Sequence, residues 1–400
     1  LTMAMRDTDV EIRGDSLAKM RILLGVSGGI AAVDTVRLAR ELRRHGAIVS
    51  VMMTHSAQKI ISPLAIEWAT QSPVITDWES DLTALEEVDG ILIAPTTRDL
   101  MASYLHGLQH GPILMALSAA RTRNCPVMMI PSMHSDLAND PVTQDLVDEV
   151  RNNGIKVHWG DEQEGKRKTP PHEEIVARFS NYVNSNKTHR KSVVVTLGAT
   201  RSPIDDIRFI QNTSSGSTGF AIADDLFRHG HDVTCVKGIT TVTTPKWLPL
   251  VIQAYSPDEM LKELFALSND DIEAWVHSAA VLDYVVENSA EGKLASQQGP
   301  LDVKLIESPK HILELSKKCQ GSVRIGFKLE TGIKQKELVR RALAQIEYAN
   351  MTAVVANRLE DINDSSKPRA YLVDKTGSDF MLQTIKDMCT AVRTLIERGN

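Results

Sequence analysis

The sequence predicts an α/β fold: two doubly wound domains, each built on a mainly parallel sheet. Three observations carry this expectation. A strand-like apolar run that enters a Gly/Ser turn and then a helical pattern occurs near residue 21 and again near residue 192. The chain has 400 residues, more than one hydrophobic core usually organises. Its residues are 42% apolar but only 4% aromatic, so the cores must be mostly Val, Ile, Leu, Ala and Met, which suits parallel strands buried under helices.

The elements follow in order. RILLGV (21–26) is a strand that leads through Gly25, Ser27, Gly28 and Gly29 into AAVDTVRLARELRRHG. There Val36, Leu38, Ala39 and Leu42 give an apolar stripe with arginines outward, and Gly46 ends the helix. AIVSVMMT, GILIAP (90–95) and PVMMIPSM (126–133) are the next strands, in β-α-β order. FSNYVNSNKTHRK (179–191) is polar without periodicity and reads as a linker. The pattern then restarts with SVVVTLGA (192–199), the turn TSSGSTG, the helix FAIADDLFRHG and the strand HDVTCVKG. Further strands are expected at 274–281, 323–330, 352–358 and 370–375, with a final helix near FMLQTIKDMCTAVRTLIER. The expected division is a tail (1–20), a first domain (21–178), a linker (179–191) and a second domain (192–400).

Composition excludes several classes. A net charge of −6 without a long basic run gives no electrostatic reason for nucleic acid as partner. The four cysteines stand far apart with no C-x-x-C pair, which argues against structural zinc and disulfides and for a reducing cytoplasm. No window approaches ~18 uninterrupted apolar residues, and LTMAMRDTDVEIRGDS has no signal-peptide core, so a soluble, cytoplasmic protein is expected. Small molecules become the default ligands.

The turn NTSSGSTG offers hydroxyls and free N–H groups at the head of a helix, where phosphate is attracted. Gly/Ser turns also end many strands that bind nothing. A dinucleotide site calls for G-x-G-x-x-G and an acidic residue after the second strand; here the turn is G-x-x-G and the strand ends in Lys237. That disfavours NAD and leaves a nucleoside triphosphate or a phosphorylated substrate.

GATRSPIDDIRFIQNTSSGSTGF, HSAAVLDY, EGK and IGFKLET together resemble phosphopantothenate–cysteine ligase, over essentially all of 192–380. The resemblance implies a Rossmann-like ligase domain. Phosphopantothenate, CTP and cysteine would be its substrates, ATP the alternative nucleotide, and Mg2+ its metal. It implies catalytic roles for Asn212, Arg208 and Lys293, nucleotide binding by Ser214, Ser215, Gly216, Gly219, Asp283 and Lys328, and substrate contacts at Ala279 and Ala280. Asp283 is also the implied Mg2+ ligand. The plain alternatives are an Asx turn at Asn212, a ligand-free loop aspartate at Asp283 and a solvated Lys293. Two departures are Ser217, where lysine is frequent in the family, and Leu282 in VLD.

The first half is similar to the flavin-dependent phosphopantothenoylcysteine decarboxylases, through GVSGGIAA, MTHSAQKIISPLA, ILIAPTTRD and IPSMHSDLANDPVTQ. This implies a flavodoxin- or Rossmann-like flavoprotein domain with FMN near Ser27, Gly28, Gly29, Thr54, Ser62 and Thr97. The implied catalytic residues are missing, however. The family's histidine aligns with Asp81, its asparagine with His134, and WGDEQEGKRKTPPHEE holds no flap cysteine; Arg98, Asp99 and Leu100 also replace residues beside the flavin. His134 reads either as a displaced base or as a surface-loop histidine. The expectation is an active ligase, FMN and decarboxylation both in doubt, and homo-oligomeric assembly. The alternatives are a fully bifunctional enzyme making phosphopantetheine and a non-catalytic regulatory homologue.

Overall fold

The computed structural model describes residues 9–77, 86–295, 299–362 and 364–399. The chain divides into two compact units, Leu1–Asn184 and Ser185–Asn400.

In the first unit six strands, β1 (Arg21–Val26), β2 (Ile48–Met53), β3 (Val74–Ile75), β4 (Gly90–Thr96), β5 (Val127–Pro131) and β6 (Lys156–Val157), form a parallel sheet. Their order is β3-β2-β1-β4-β5-β6. The chain builds outward from β1 to one edge, then restarts at β4 on the other side. Along β1, Ile22, Leu24 and Val26 enter a core with Leu38, Leu42 and Phe179, whereas Leu23 enters another with Ile93, Ile113 and Met129. Burial on both faces is why these strands read as unbroken apolar runs.

Two boundaries differ from the sequence reading. Residues 9–20 are not a free tail: Leu17 is fully buried beside Ile22, and the N–H groups of Arg13 and Gly14 donate to the Arg44 carbonyl. The region from Phe179 is not yet a linker, because the helix His172–Asn184 runs through it. Ile175, Phe179 and Val183 recur at four-residue spacing and pack into the core, Ser180 is buried with them, and Arg178 and Asn181 lie on the less buried side.

The second unit repeats this order with β7 (Ser192–Leu197), β8 (Asp232–Lys237), β9 (Leu250–Gln253), β10 (Ala274–His277), β11 (Val323–Glu330) and β12 (Ala353–Arg358). The full order is β9-β8-β7-β10-β11-β12-β13-β14, in which β13 (Ala370–Asp374) and β14 (Asp379–Leu382) extend the sheet antiparallel. The segment expected to begin the last helix is therefore partly strand: Asp379–Leu382 pairs with β13, and the helix Ile385–Arg398 starts only after Thr384, which caps it reciprocally with Asp387. β10 is shorter than expected, because at Ser278 the chain leaves the sheet and its hydroxyl donates to the Thr196 carbonyl at 2.6 Å.

Candidate functional site

In the second unit the chain reverses its direction of sheet growth between β7 and β10. Open α/β sheets bind ligands outside the carboxyl ends of strands at such a point. A cleft of 690 Å³ lies there, floored by Thr196, His277 and Ala279 and bounded by the turn Thr213–Gly219.

The turn is built by its glycines and hydroxyls. Gly216 has φ +79°, a conformation costly for any side chain. At Gly219 the helix Ser217–Arg228 approaches β7 so closely that an added Cβ would meet Leu197 Cβ at 2.3 Å. Ser214 Oγ accepts from the Gly216 N–H and Ser215 Oγ from the Ser217 N–H. Among the described residues the side chain that meets an N–H of this helix head is Ser215 rather than Asn212, so the plain reading of Asn212 as its cap does not hold. Asn212 Nδ2 instead donates to the carbonyls of Ala280 (3.3 Å) and Val281 (3.1 Å), tying the turn to the chain leaving β10.

Of the residues expected at this site, Asn212, Ser214, Ser215, Gly216, Gly219, Ala279, Asp283 and Lys328 line the cleft. Lys328 pairs with Glu330 at 3.2 Å. Asp283 is exposed, and among the described residues no group of three potential metal ligands includes it. A divalent ion there would be completed by ligand oxygens and water, as magnesium commonly is. Ala280 takes part through its backbone alone, accepting from Thr200 and Asn212.

Arg208 and Lys293 are not brought to the cleft wall. The Arg208 guanidinium is held by Asp205 at 2.7 Å and reaches the carbonyl of Leu294, next to Lys293. Asp205, its side chain fully buried, also accepts from the N–H groups of Arg208, Ile207 and Leu294. The Arg208 N–H above all, with the other N–H groups and the guanidinium, keeps this carboxyl below its usual range. The cluster clasps the Lys293 segment at its base.

Several cleft residues carry no signal in the sequence reading: His277, Lys310, His311, Asn357 and Arg369. His277 could have been found as a polar residue ending an apolar strand at the switch point. It is buried and stacks on Trp275 with ring centroids 6.3 Å apart. Burial, with Arg324 and His311 nearby, pushes its pKa well below the usual imidazole value, and burial pushes that of His311 down to about 4. His277 Nε2 and His311 Nδ1 each lack a hydrogen-bond partner among the described residues. Both imidazoles are neutral at pH 7.

The first unit has a cavity of 440 Å³ at the carboxyl end of its own sheet. Gly28, Thr54 and Thr97 line it, whereas Ser27, Gly29 and Ser62 do not. Ser27 is spent internally: its hydroxyl donates to the Pro95 carbonyl and accepts from the Thr97 N–H. Thr54 and Thr97 cap the helices His55–Gln58 and Arg98–Leu105, and an added Cβ at Gly28 would meet Ser56 Cβ at 2.4 Å. Gly28 and the heads of these two helices thus form one side of the cavity, and Asp77 and Asp99 add carboxylates to its wall. Arg98 turns away from the cavity to Asp140, at 2.5 Å.

Asp81 lies outside the described residues. His134 is half-exposed, pairs with Asp136 at 3.2 Å and does not line the cavity. Where a flap cysteine is sought, Glu162–Gln163 and Lys166–Arg167 form a tight hairpin turning at Glu164 (φ +53°) and Gly165 (φ +67°) and pairing with Met133–His134.

Residues 188–397 match the family model described as DNA/pantothenate metabolism flavoprotein C-terminal domain, and residues 11–184 match the model described as Flavoprotein. The coenzyme A biosynthesis bifunctional protein CoaBC of Thermococcus kodakarensis is 35% identical over 372 residues, covering 91% of this chain and 90% of that protein. The protein of the same description from Methanocaldococcus jannaschii is 30% identical, covering 86% and 84%. A solved DNA/pantothenate metabolism flavoprotein from Streptococcus pneumoniae is 23% identical over 50% of this chain and 96% of its own, with a TM-score of 0.46. A flavoprotein-type unit followed by a pantothenate-metabolism unit, with relatives matched along nearly their whole length, makes this chain a member of the family of bifunctional coenzyme A biosynthesis proteins.

Proposed function

We propose that the second unit is a phosphopantothenate–cysteine ligase and that the first unit has lost the decarboxylase step. The observation that carries the ligase reading is the convergence of Asn212, the turn Ser214–Gly219, Asp283 and Lys328 on one cleft at the switch point. The phosphopantothenate carboxylate attacks the α-phosphorus of CTP and pyrophosphate leaves; the cysteine amine then attacks the acyl carbon, CMP leaves and an amide forms. Two anions must approach, so cations and oriented N–H groups are needed where charge develops. The helix head and Lys328 supply them, and Asn212 Oδ1, with its amide group anchored on Ala280 and Val281, orients the acyl group. Lys293 joins when its segment swings on the Asp205–Arg208 clasp. Magnesium, which Asp283 would hold, offsets charge between the phosphates when bound.

In the first unit Gly28, Thr54 and Thr97 would hold a flavin phosphate, and FMN when bound supplies thiol oxidation. The groups that should act on the substrate are the ones replaced: Asp81 and His134 stand for histidine and asparagine, and the hairpin 162–167 carries no cysteine. The second reading is full bifunctionality, favoured by the likeness to relatives described as bifunctional. We also place the protein in the cytoplasm as a homo-oligomer, on the resemblance; among the described residues no helix is long and apolar enough to cross a membrane.

The test is the visible spectrum of the purified protein, then mass spectrometry of its products from phosphopantothenate, cysteine and magnesium with CTP or ATP. Phosphopantothenoylcysteine and pyrophosphate, favouring CTP and without phosphopantetheine, are expected. Phosphopantetheine among the products overturns the loss of decarboxylation, and no amide from either nucleotide overturns the ligase.

A further inference from the structure

We propose that Arg369 is the cation of the phosphate-binding turn, gripping a phosphoryl group of the cleft ligand together with the head of the helix Ser217–Arg228. This rests on the ligase reading of the same cleft.

The turn has no charge of its own. Thr213, Ser214, Ser215, Ser217 and Thr218 are neutral, and a helix head contributes only about half an elementary charge. A phosphoryl group carries more. The fold brings the missing charge from 151 positions away: Arg369, immediately before β13, lines the same cleft and its Nη2 donates to Thr218 Oγ1 at 3.2 Å.

Other guanidinium groups of this unit are already spent, Arg324 on the carbonyls of Ala349 and Ile312 and three more on carboxylates. Arg208 is neutralised by Asp205, Arg358 by Asp361 and Arg341 by Glu330 and Glu337. Arg369 has no carboxylate partner among the described residues; one bond to a neutral hydroxyl holds it, and its buried Nε lacks an acceptor. A guanidinium fork matches phosphoryl oxygens in both geometry and charge, and its remaining Nη hydrogens are unused here. Anchored on the second residue of the helix, it places its charge where the helix dipole is also positive, so both act on the same oxygens. The phosphoryl group has two possible sources, the nucleoside triphosphate or the phosphorylated acid.

The test uses the full chain and isothermal titration with tripolyphosphate, CTP and phosphopantothenate, alongside pyrophosphate release in the complete reaction. Arg369→Ala should weaken binding of at least one probe roughly 10- to 100-fold. Arg369→Lys should lose less, and Ser217→Lys added to Arg369→Ala should recover much of the loss by returning a charge to the turn. Loss with CTP and tripolyphosphate identifies the nucleotide as source; loss with phosphopantothenate alone identifies the acid. Should Arg369→Ala fail to fold, Arg369→Gln, which can keep the bond to Thr218 without the charge, tests the same loss of affinity. The proposal is overturned if folded variants bind all three probes within about twofold of the parent. A parent that binds the probes but forms no amide defeats the ligase reading alone. A parent that forms amide with Arg369→Ala unimpaired defeats this proposal alone, and one that binds no probe defeats both.

Discussion

His311 changes its proton affinity strongly on folding. Burial lowers its pKa from 6.5 to about 4, while the Pro257 carbonyl and Asp258 pull weakly the other way. The folded chain therefore binds this proton less readily than the unfolded chain. The stability that follows is fully present above pH 6.5, fades as pH falls towards 4 and is gone below it, about 3 kcal/mol in all. His277, whose buried imidazole is also held below its usual value, acts in the same direction. Urea-unfolding midpoints measured between these pH values should fall with acidity, and His311→Gln should flatten the slope; an unchanged slope in the variant refutes the assignment. Asp205 is a different kind of residue, a buried acceptor for three N–H groups and one guanidinium. Asp205→Ala should free the Lys293 segment while leaving the sheet intact, read as faster tryptic cleavage after Lys293 with little change in circular dichroism.

At the scale of elements, the turn and helix 213–228 show how sequence becomes a site. The contact of Gly219 with β7 sets the height of the helix head above the strand ends. Gly219→Ala should push the helix outward at an overpacking cost of about 1–3 kcal/mol and weaken CTP binding, seen together as a lower Tm and a higher Kd. A variant that binds CTP as the parent does would show that the helix head does not contact the ligand. Elements buried on both faces, such as β1, β4 and β7, are legible because their apolar runs admit no other placement. The short or partly exposed strands Val74–Ile75 and Leu250–Gln253 are not, since two to four residues at a sheet edge carry too little pattern to stand out from a loop. The helix through Phe179 is hard to read for a related reason: within 179–184 only Phe179 and Val183 of its core residues remain, set among Ser, Asn and Tyr.

At the scale of the whole molecule, each unit owns a complete sheet and its own cores. A fragment spanning 185–400 should thus fold and keep the ligase reaction, whereas 1–184 should fold without forming the amide. Expression of the two pieces, with circular dichroism and the pyrophosphate assay, checks both statements; an insoluble or inactive 185–400 fragment contradicts the first.

The sequence by itself determined the α/β class, the two restarts of the glycine-turn device, the family, and the local turn, Asn212 through Gly219, that lines the cleft. These depend on residues adjacent in the chain, whose side-chain periods and turn chemistry act locally. Tertiary structure alone decided that Arg208 is neutralised by Asp205, that Ser27 is consumed by Pro95 and Thr97, and that His277, His311 and Arg369 stand on the cleft. A charge is available or spent according to what lies within a few ångströms of it. That distance is set by the order of the strands, not by the order of the residues.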